Sequence, residues 1–267
     1  MKTTYNLLLI IFALGFTHPL LAQENDQKLA EQKGLEIVTE ADKRDSGFID
    51  SSTALTMQLR NKQGDTSSRL LRVKTLEIKG DGDKGLSIFD EPADVKGTAF
   101  LIFSHAKVAD EQWLYLPELK RVKRIASKNK SGPFMGSEFA YEDIASQELD
   151  KYTYKYINDE KVNGVDCFVI ERVPTYEDSG YVRQLAWINK NEYRPEKIVF
   201  YDRKNTLLKT LLYSDYQQYL NQYWRAGTMQ MDNHQTDKST VLTWKNYKFR
   251  NGFSDKDFDR NSLENAK

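Results

Sequence analysis

Between Leu55 and Arg60 the chain alternates Leu55, Met57 and Leu59 with Thr56, Gln58 and Arg60, the period-two pattern of a strand with one buried face. Similar short runs follow at 70–79, 85–89, 98–103, 113–116 and 121–125, separated by Asp81-Gly82-Asp83, by 94–97 and by 117–120. Short spacing and turn residues of this kind favour antiparallel neighbours. Beyond a polar stretch, 152–157 and 165–173 flank Asn158 to Gly164 as a hairpin, and 182–189, 197–202, 206–213, 223–232 and 240–248 extend the series. Ahead of the first strand, Leu29, Leu35, Ile37 and Val38 stand among charges from Asn25 to about Lys43, which predicts an amphipathic helix with Gly34 as its weak point. About eleven strands with no helical pattern between them read as a mainly β fold: one large antiparallel sheet, curled or closed to bury a face, with an N-terminal helix.

Two strands are apolar on both faces, Ala99 to Phe103 and Trp113 to Leu116, so that part of the sheet needs a cover on each side. The N-terminal helix is one candidate cover. A ligand is another, which would turn a curled sheet into a cavity, and ordinary core packing is the competing expectation.

The beginning of the chain changes the setting. Lys2, the apolar run Leu7 to Phe16 and Leu20-Leu21-Ala22 before a polar stretch form the three parts of a secretory leader, so residues 1–22 are expected to be removed near Ala22 and 23–267 to form one domain in an oxidising compartment. Cys167 is the single cysteine, which leaves no intramolecular disulfide, and its apolar surroundings predict a buried, inert thiol. Charge is balanced, with 39 basic and 39 acidic residues, which argues against nucleic acid as a partner.

No nucleophile elbow, phosphate-cradling glycine loop or zinc-binding helix occurs. His105 and His234 lack ligand-spaced neighbours, so neither a metal nor a cofactor is expected. Glu138, Glu142 and Asp143 lie close together, but so many carboxylates make such proximity unremarkable, and the chain does not read as an enzyme. Tyr152, Tyr154 and Tyr156 form a ladder at strand spacing, better explained by cross-strand packing than by a carbohydrate-binding face.

One segment is more specific. Trp113-Leu114-Tyr115-Leu116-Pro117-Glu118-Leu119-Lys120-Arg121-Val122-Lys123-Arg124-Ile125, followed by Gly132 to Phe139 and Tyr141-Glu142-Asp143, resembles the signature of the LolA-like family of outer-membrane lipoprotein-sorting proteins. The similarity extends to Gly97 to Ile102, Trp244 and 253–263. It implies an unclosed β-barrel with helices or loops over an apolar cavity for lipid or lipoprotein acyl chains, in the periplasm. It also implies partnership, in some members, with an inner-membrane transporter of the RND class and an outer-membrane acceptor.

On that reading the cavity wall is expected from Phe100, Ile102, Leu114, Leu116, Trp187, Phe200, Met229 and Met231, with Leu101, Trp113 and Tyr115 replacing their neighbours if the other face is inside. Phe134 and Met135, apolar in a glycine-rich loop, are candidates for a portal, or equally for a static plug. Arg121, Lys123 and Arg124 form a basic patch for a lipid head group or a membrane partner, with edge protection of a strand as the plainer explanation. The expected molecule is a monomeric carrier. Its rival is an adaptor or structural module that binds a transporter or glycan without carrying lipid.

Overall fold

Antiparallel pairing between sequence neighbours builds nearly the whole molecule. The computed structural model describes residues 18–265. It begins with helix α1 (His18–Asp45) and continues as strands β1 (Asp50–Arg60), β2 (Thr66–Leu76), β3 (Lys84–Glu91), β4 (Ala99–Phe103), β5 (Glu111–Leu116) and β6 (Arg121–Arg124). After a long connection come β7 (Tyr152–Val162), β8 (Val165–Pro174), β9 (Tyr181–Asn189), β10 (Pro195–Asp202) and β11 (Leu207–Ser214). A small ribbon, β12 (Gln217–Tyr219) and β13 (Tyr223–Arg225), precedes β14 (Thr228–Asn233) and β15 (Lys238–Phe249).

Thirteen strands form one sheet in the order β6-β5-β4-β3-β2-β1-β15-β14-β11-β10-β9-β8-β7, and β12 pairs only with β13. The first six strands meander outward on one side of β1, and the chain returns from the far edge to pair β15 with β1. The edges are β6 and β7, so the sheet is unclosed, and the segment linking them spans the gap. The mainly β, unclosed architecture with one N-terminal helix is the expected one.

Three local expectations differ from what is observed. The 158–164 loop is really more strand ending in a two-residue turn, with Asn163 (φ 49°) and Gly164 (φ 85°) both left-handed, the geometry that matches hairpin twist. The continuous strand 223–232 is broken at Gly227, where a Cβ would lie 2.7 Å from the Asp215 carbonyl oxygen; this close crossing diverts β13 into the ribbon. In α1 the inward stripe is Ala30, Gly34, Ile37, Val38 and Ala41, while Leu29 and Leu35 are exposed. Gly34 is a contact point rather than a weak one: its missing side chain lets the helix backbone rest on β7, where a Cβ would be 2.8 Å from the Tyr156 nitrogen.

The strand register decides which face is inside. Phe100, Ile102, Leu114, Ile170, Ala186, Ile188, Ile198, Phe200, Leu211, Met231 and Leu242 belong to one buried cluster, which also holds Phe134 and Phe139 from the 125–151 connection. A sheet can gather residues from β4 and from β10 into one cluster only by curling around them. On the outer face of β3 to β5, Leu86, Ile88, Ala99, Leu101 and Trp113 are covered by Phe258 and Leu263 from the C-terminal segment. The two covers over these strands are therefore the 125–151 connection and the C-terminus, not α1, which packs at the opposite edge against β7. A smaller outer cluster of Val162, Cys167, Val169 and Trp187 lies on β7 to β9, and burial pushes the Cys167 thiol up to about 11.

Candidate functional site

The 125–151 connection fills one end of the curled interior. Phe134 stacks its ring centroid 5.0 Å from Phe100, 5.5 Å from Tyr141 and 6.1 Å from Phe89. Polar bonds then fix this apolar plug to the sheet. Lys209 Nζ on β11 donates to the Glu138 carbonyl at 2.9 Å and to Asp143 Oδ2 at 2.6 Å, Thr240 Oγ1 accepts from the Glu138 N–H at 2.9 Å, and Asn233 donates to the Glu138 carboxylate. Tyr181 donates its hydroxyl proton to Asp143, Gln112 donates to the Tyr141 carbonyl, and Arg69 donates to the Met135 carbonyl. Glu142 accepts from Gly180 N–H, Ser179 and Tyr176; burial nonetheless raises its pKa, with Asp143 adding repulsion.

At the other end of the same strands the interior is open. A cavity of about 1520 Å³ lies between the C-terminal part of α1, the inner face of β8 to β11, β14 and β15, the β2–β3 turn and the β12–β13 ribbon. Its apolar wall includes Val38, Ile188, Ile198, Tyr213, Met229 and Trp244. The Trp244 indole N–H points at the Met229 sulfur, 3.2 Å away. Burial pushes the Tyr213 and Tyr154 hydroxyls well above the usual phenol range, so both stay protonated at any physiological pH, and Tyr154 donates its proton to the Leu149 carbonyl at 3.1 Å.

The rim is charged and held together. Arg225 donates to Asp45 at the end of α1 and faces the rings of Phe48, Tyr223 and Phe249. Arg194 is sandwiched between Tyr216 at 3.9 Å and Trp224 at 4.6 Å, a stacking that suits the planar guanidinium. Arg44 donates to the Asn191 carbonyl at 2.7 Å and sits over Tyr193. Against these cations stands a group of acids, Asp42, Asp45, Glu77, Asp83 and Glu148. Burial is the largest cause that raises the Asp83 carboxyl to about 7; an Ile78 N–H bond opposes it, and Glu148, Glu77 and Asp45 add repulsion.

The expected wall residues are distributed unevenly. Met229 lines the large cavity. Phe100, Ile102, Leu114, Phe134, Phe200 and Met231 are buried on the inner face in contact with the plug or its surroundings, with Leu116 and Met135 packed at that cluster's margin. Trp187 lies on the outer face, donating to Glu160 at 2.8 Å. Leu101, Trp113 and Tyr115 belong to the outer cluster as well. Arg121, Lys123 and Arg124 are exposed on the edge strand β6; Arg121 and Lys123 follow Leu116 and Leu114 in register, while Arg124 faces the other way beside Glu111. Leu116, Leu119, Arg121 and Lys123 enclose a small surface hollow of about 290 Å³. Lys130, six residues beyond this patch, is buried and donates to the Asp110 carbonyl at 2.6 Å. His105 bonds Asp81 and His234 bonds Thr210.

Sequence reasoning missed Tyr154, Arg172, Tyr213, Trp244 and the rim arginines. One signal was present: in β8 the inward positions read Phe168, Ile170, Arg172, so a cation continues an apolar face.

A family model described only as that of an uncharacterized protein matches residues 81–265. No curated protein matches the chain. Among solved structures, a putative outer membrane lipoprotein-sorting protein domain from Vibrio parahaemolyticus is 57% identical, with 88% of this chain and 99% of that one covered and a TM-score of 0.86. A DUF1329 family protein from Desulfovibrio piger is 28% identical over 88% of this chain and 99% of that one, TM-score 0.84. A LolA superfamily protein from Nitrosomonas europaea, 21% identical over 85% of this chain and 98% of that one at TM-score 0.69, shares the fold. With the Trp113 to Ile125 segment, the unclosed sheet and these relatives in agreement, the chain belongs to the family of outer-membrane lipoprotein-sorting protein domains and has the fold of the LolA superfamily.

Proposed function

We propose that the protein is a periplasmic carrier that shields the acyl chain of a lipid or an acylated, lipoprotein-like ligand in the cavity beneath α1. The observation that supports this best is the uneven filling of the interior: one end is plugged by Phe134 and Phe139, whereas the other keeps about 1520 Å³ against an apolar wall. Protein interiors are normally filled, and pockets for small molecules run to roughly 300–1,000 Å³, so a space of this size suits a larger, flexible guest. An acyl chain of about sixteen carbons exposes surface costing on the order of 12 kcal/mol in water at roughly 0.8 kcal/mol per methylene, a cost that enclosure removes.

The leader at residues 1–22 lies mostly outside the described residues, and no helix among those described is long and apolar enough to cross a membrane. Export with cleavage near Ala22 fits the carrier role; the intact mass of protein recovered from the periplasm should correspond to a chain beginning at Gln23. Arg121, Lys123 and Arg124 are then the surface offered to an RND-class inner-membrane transporter or to an outer-membrane acceptor. Native mass spectrometry of detergent-free protein, followed by solvent extraction, tests the carrier reading. A stoichiometric lipid adduct is expected. A clean mass with no lipid taken up on mixing would replace the carrier by an adaptor or structural module.

A further inference from the structure

We infer that the cavity takes its guest head-first, and that Arg172 on its floor is an anchor for an anionic head group, a carboxylate or a phosphate monoester at the end of a single long alkyl chain. This rests on the carrier reading and narrows it to a ligand class.

Arg172 occupies an inward position of β8, paired across the sheet with Tyr154 on β7 and Gln184 on β9. It is part of the cavity wall and only 8% exposed. Its Nε donates to Gln184 Oε1 at 2.5 Å and its Nη1 to Gln147 Oε1 where the plug meets the cavity, while Nη2 is buried with no partner. Among the described residues no carboxylate lies within 4.0 Å of the guanidinium. Its neighbours are the Tyr152 ring, 5.6 Å away, and the protonated hydroxyls of Tyr154 and Tyr213.

The contrast with Lys209 gives this its meaning. Both cations are buried on the inner face, but Lys209 is matched by Asp143. A buried cation matched only by neutral amides and phenols lacks the partner that would offset its desolvation, and a guanidinium fits a carboxylate or phosphate in a two-pronged manner. Tyr213, held protonated, is a further donor at the same place, while the Tyr154 hydroxyl already donates to the Leu149 carbonyl. The rim arginines are each matched by a carboxylate, Arg44 by Glu40, Arg194 by Glu196 and Arg225 by Asp45, so they do not call for an incoming anion. Among the described residues, Arg172 is thus the arginine of the cavity that lacks a carboxylate partner, and the apolar wall of Ile188, Ile198 and Met229 is there for the chain.

The test measures binding of hexadecanoate, hexadecyl phosphate and hexadecanol, each below its aggregation concentration, to the full chain freed of lipid. The wild type should bind at least one anionic probe about tenfold or more tightly than hexadecanol, and the tighter of the two identifies the head group. Arg172→Gln should lose the preference for the anionic probe over hexadecanol, and Arg172→Lys should keep part of it. Equal binding of all three probes by the wild type, or a preference that survives in a folded Arg172→Gln, overturns the inference and leaves the carrier reading standing. Binding of none of them overturns both. The wild-type comparison needs no variant, so a misfolded substitution does not blunt the test.

Discussion

Phe134 and Lys209 show how two side chains of opposite character hold one plug. Phe134 is 2% exposed within an aromatic group, so Phe134→Ala should cost about 3–5 kcal/mol in urea denaturation through lost contact and a residual cavity. Lys209→Met leaves Asp143 buried without its cation and should cost a similar amount, about 3–5 kcal/mol. If Lys209→Met is neutral, the Lys209–Asp143 pair does not hold the plug. Asp83 provides a pH signature. Its carboxyl titrates at about 7 in the folded protein against about 3.9 in an unfolded chain, so the folded state holds the extra proton between these values. Stability from this group is greatest at the acid end of that window and falls as pH rises toward 7. Asp83→Asn should flatten the fall in melting temperature between pH 5 and pH 8, and a slope equal to wild type would show that Asp83 does not carry it. The inward apolar residues could be read from alternation, because side-chain direction has period two. The inward cations Lys209 and Arg172 were harder: the apolar face of β8 runs on into Arg172, but what such a cation does is decided only once its partner, or lack of one, is placed in space.

At the scale of elements, most strands were legible to within a few residues, including β3, β5 and β8, because their apolar periodicity and flanking turns agree, while β1 starts five residues earlier than its alternation showed. What escaped depended on contacts distant in sequence. The split of 223–232 follows from the approach of Gly227 to Asp215, and the inward stripe of α1 follows from where β7 lies. Gly34 carries a direct consequence: Gly34→Val would drive a side chain into the β7 backbone at Lys155 and Tyr156, so the helix should lift and hydrogen exchange along α1 should accelerate. Retained protection would mean that the helix can shift without losing its seat. The C-terminal segment is the other cover. Truncation after Gly252 removes Phe258 and Leu263 from Leu101, Ile88 and Trp113, and the exposed patch should make the shortened protein aggregate, as light scattering would report. A monodisperse truncated protein would show that the outer face tolerates water.

Across the whole molecule, the sequence resemblance and the geometry meet on one point: an open antiparallel sheet curled around an interior that is plugged at one end and hollow at the other. The hollow itself was not legible, since Met229 was the single expected wall residue that lines it, and unfilled space leaves no mark on a pattern of apolar positions. The sheet edges β6 and β7 are joined by a stretch of chain and by no ladder of hydrogen bonds. In a closed barrel, strand number and stagger fix the girth. Here no such closure fixes the girth, and parting the edges would break no strand pairing. The protein has the mechanics of a split ring rather than a hoop, and a carrier built this way would take guests of unequal bulk without breaking a single strand pairing.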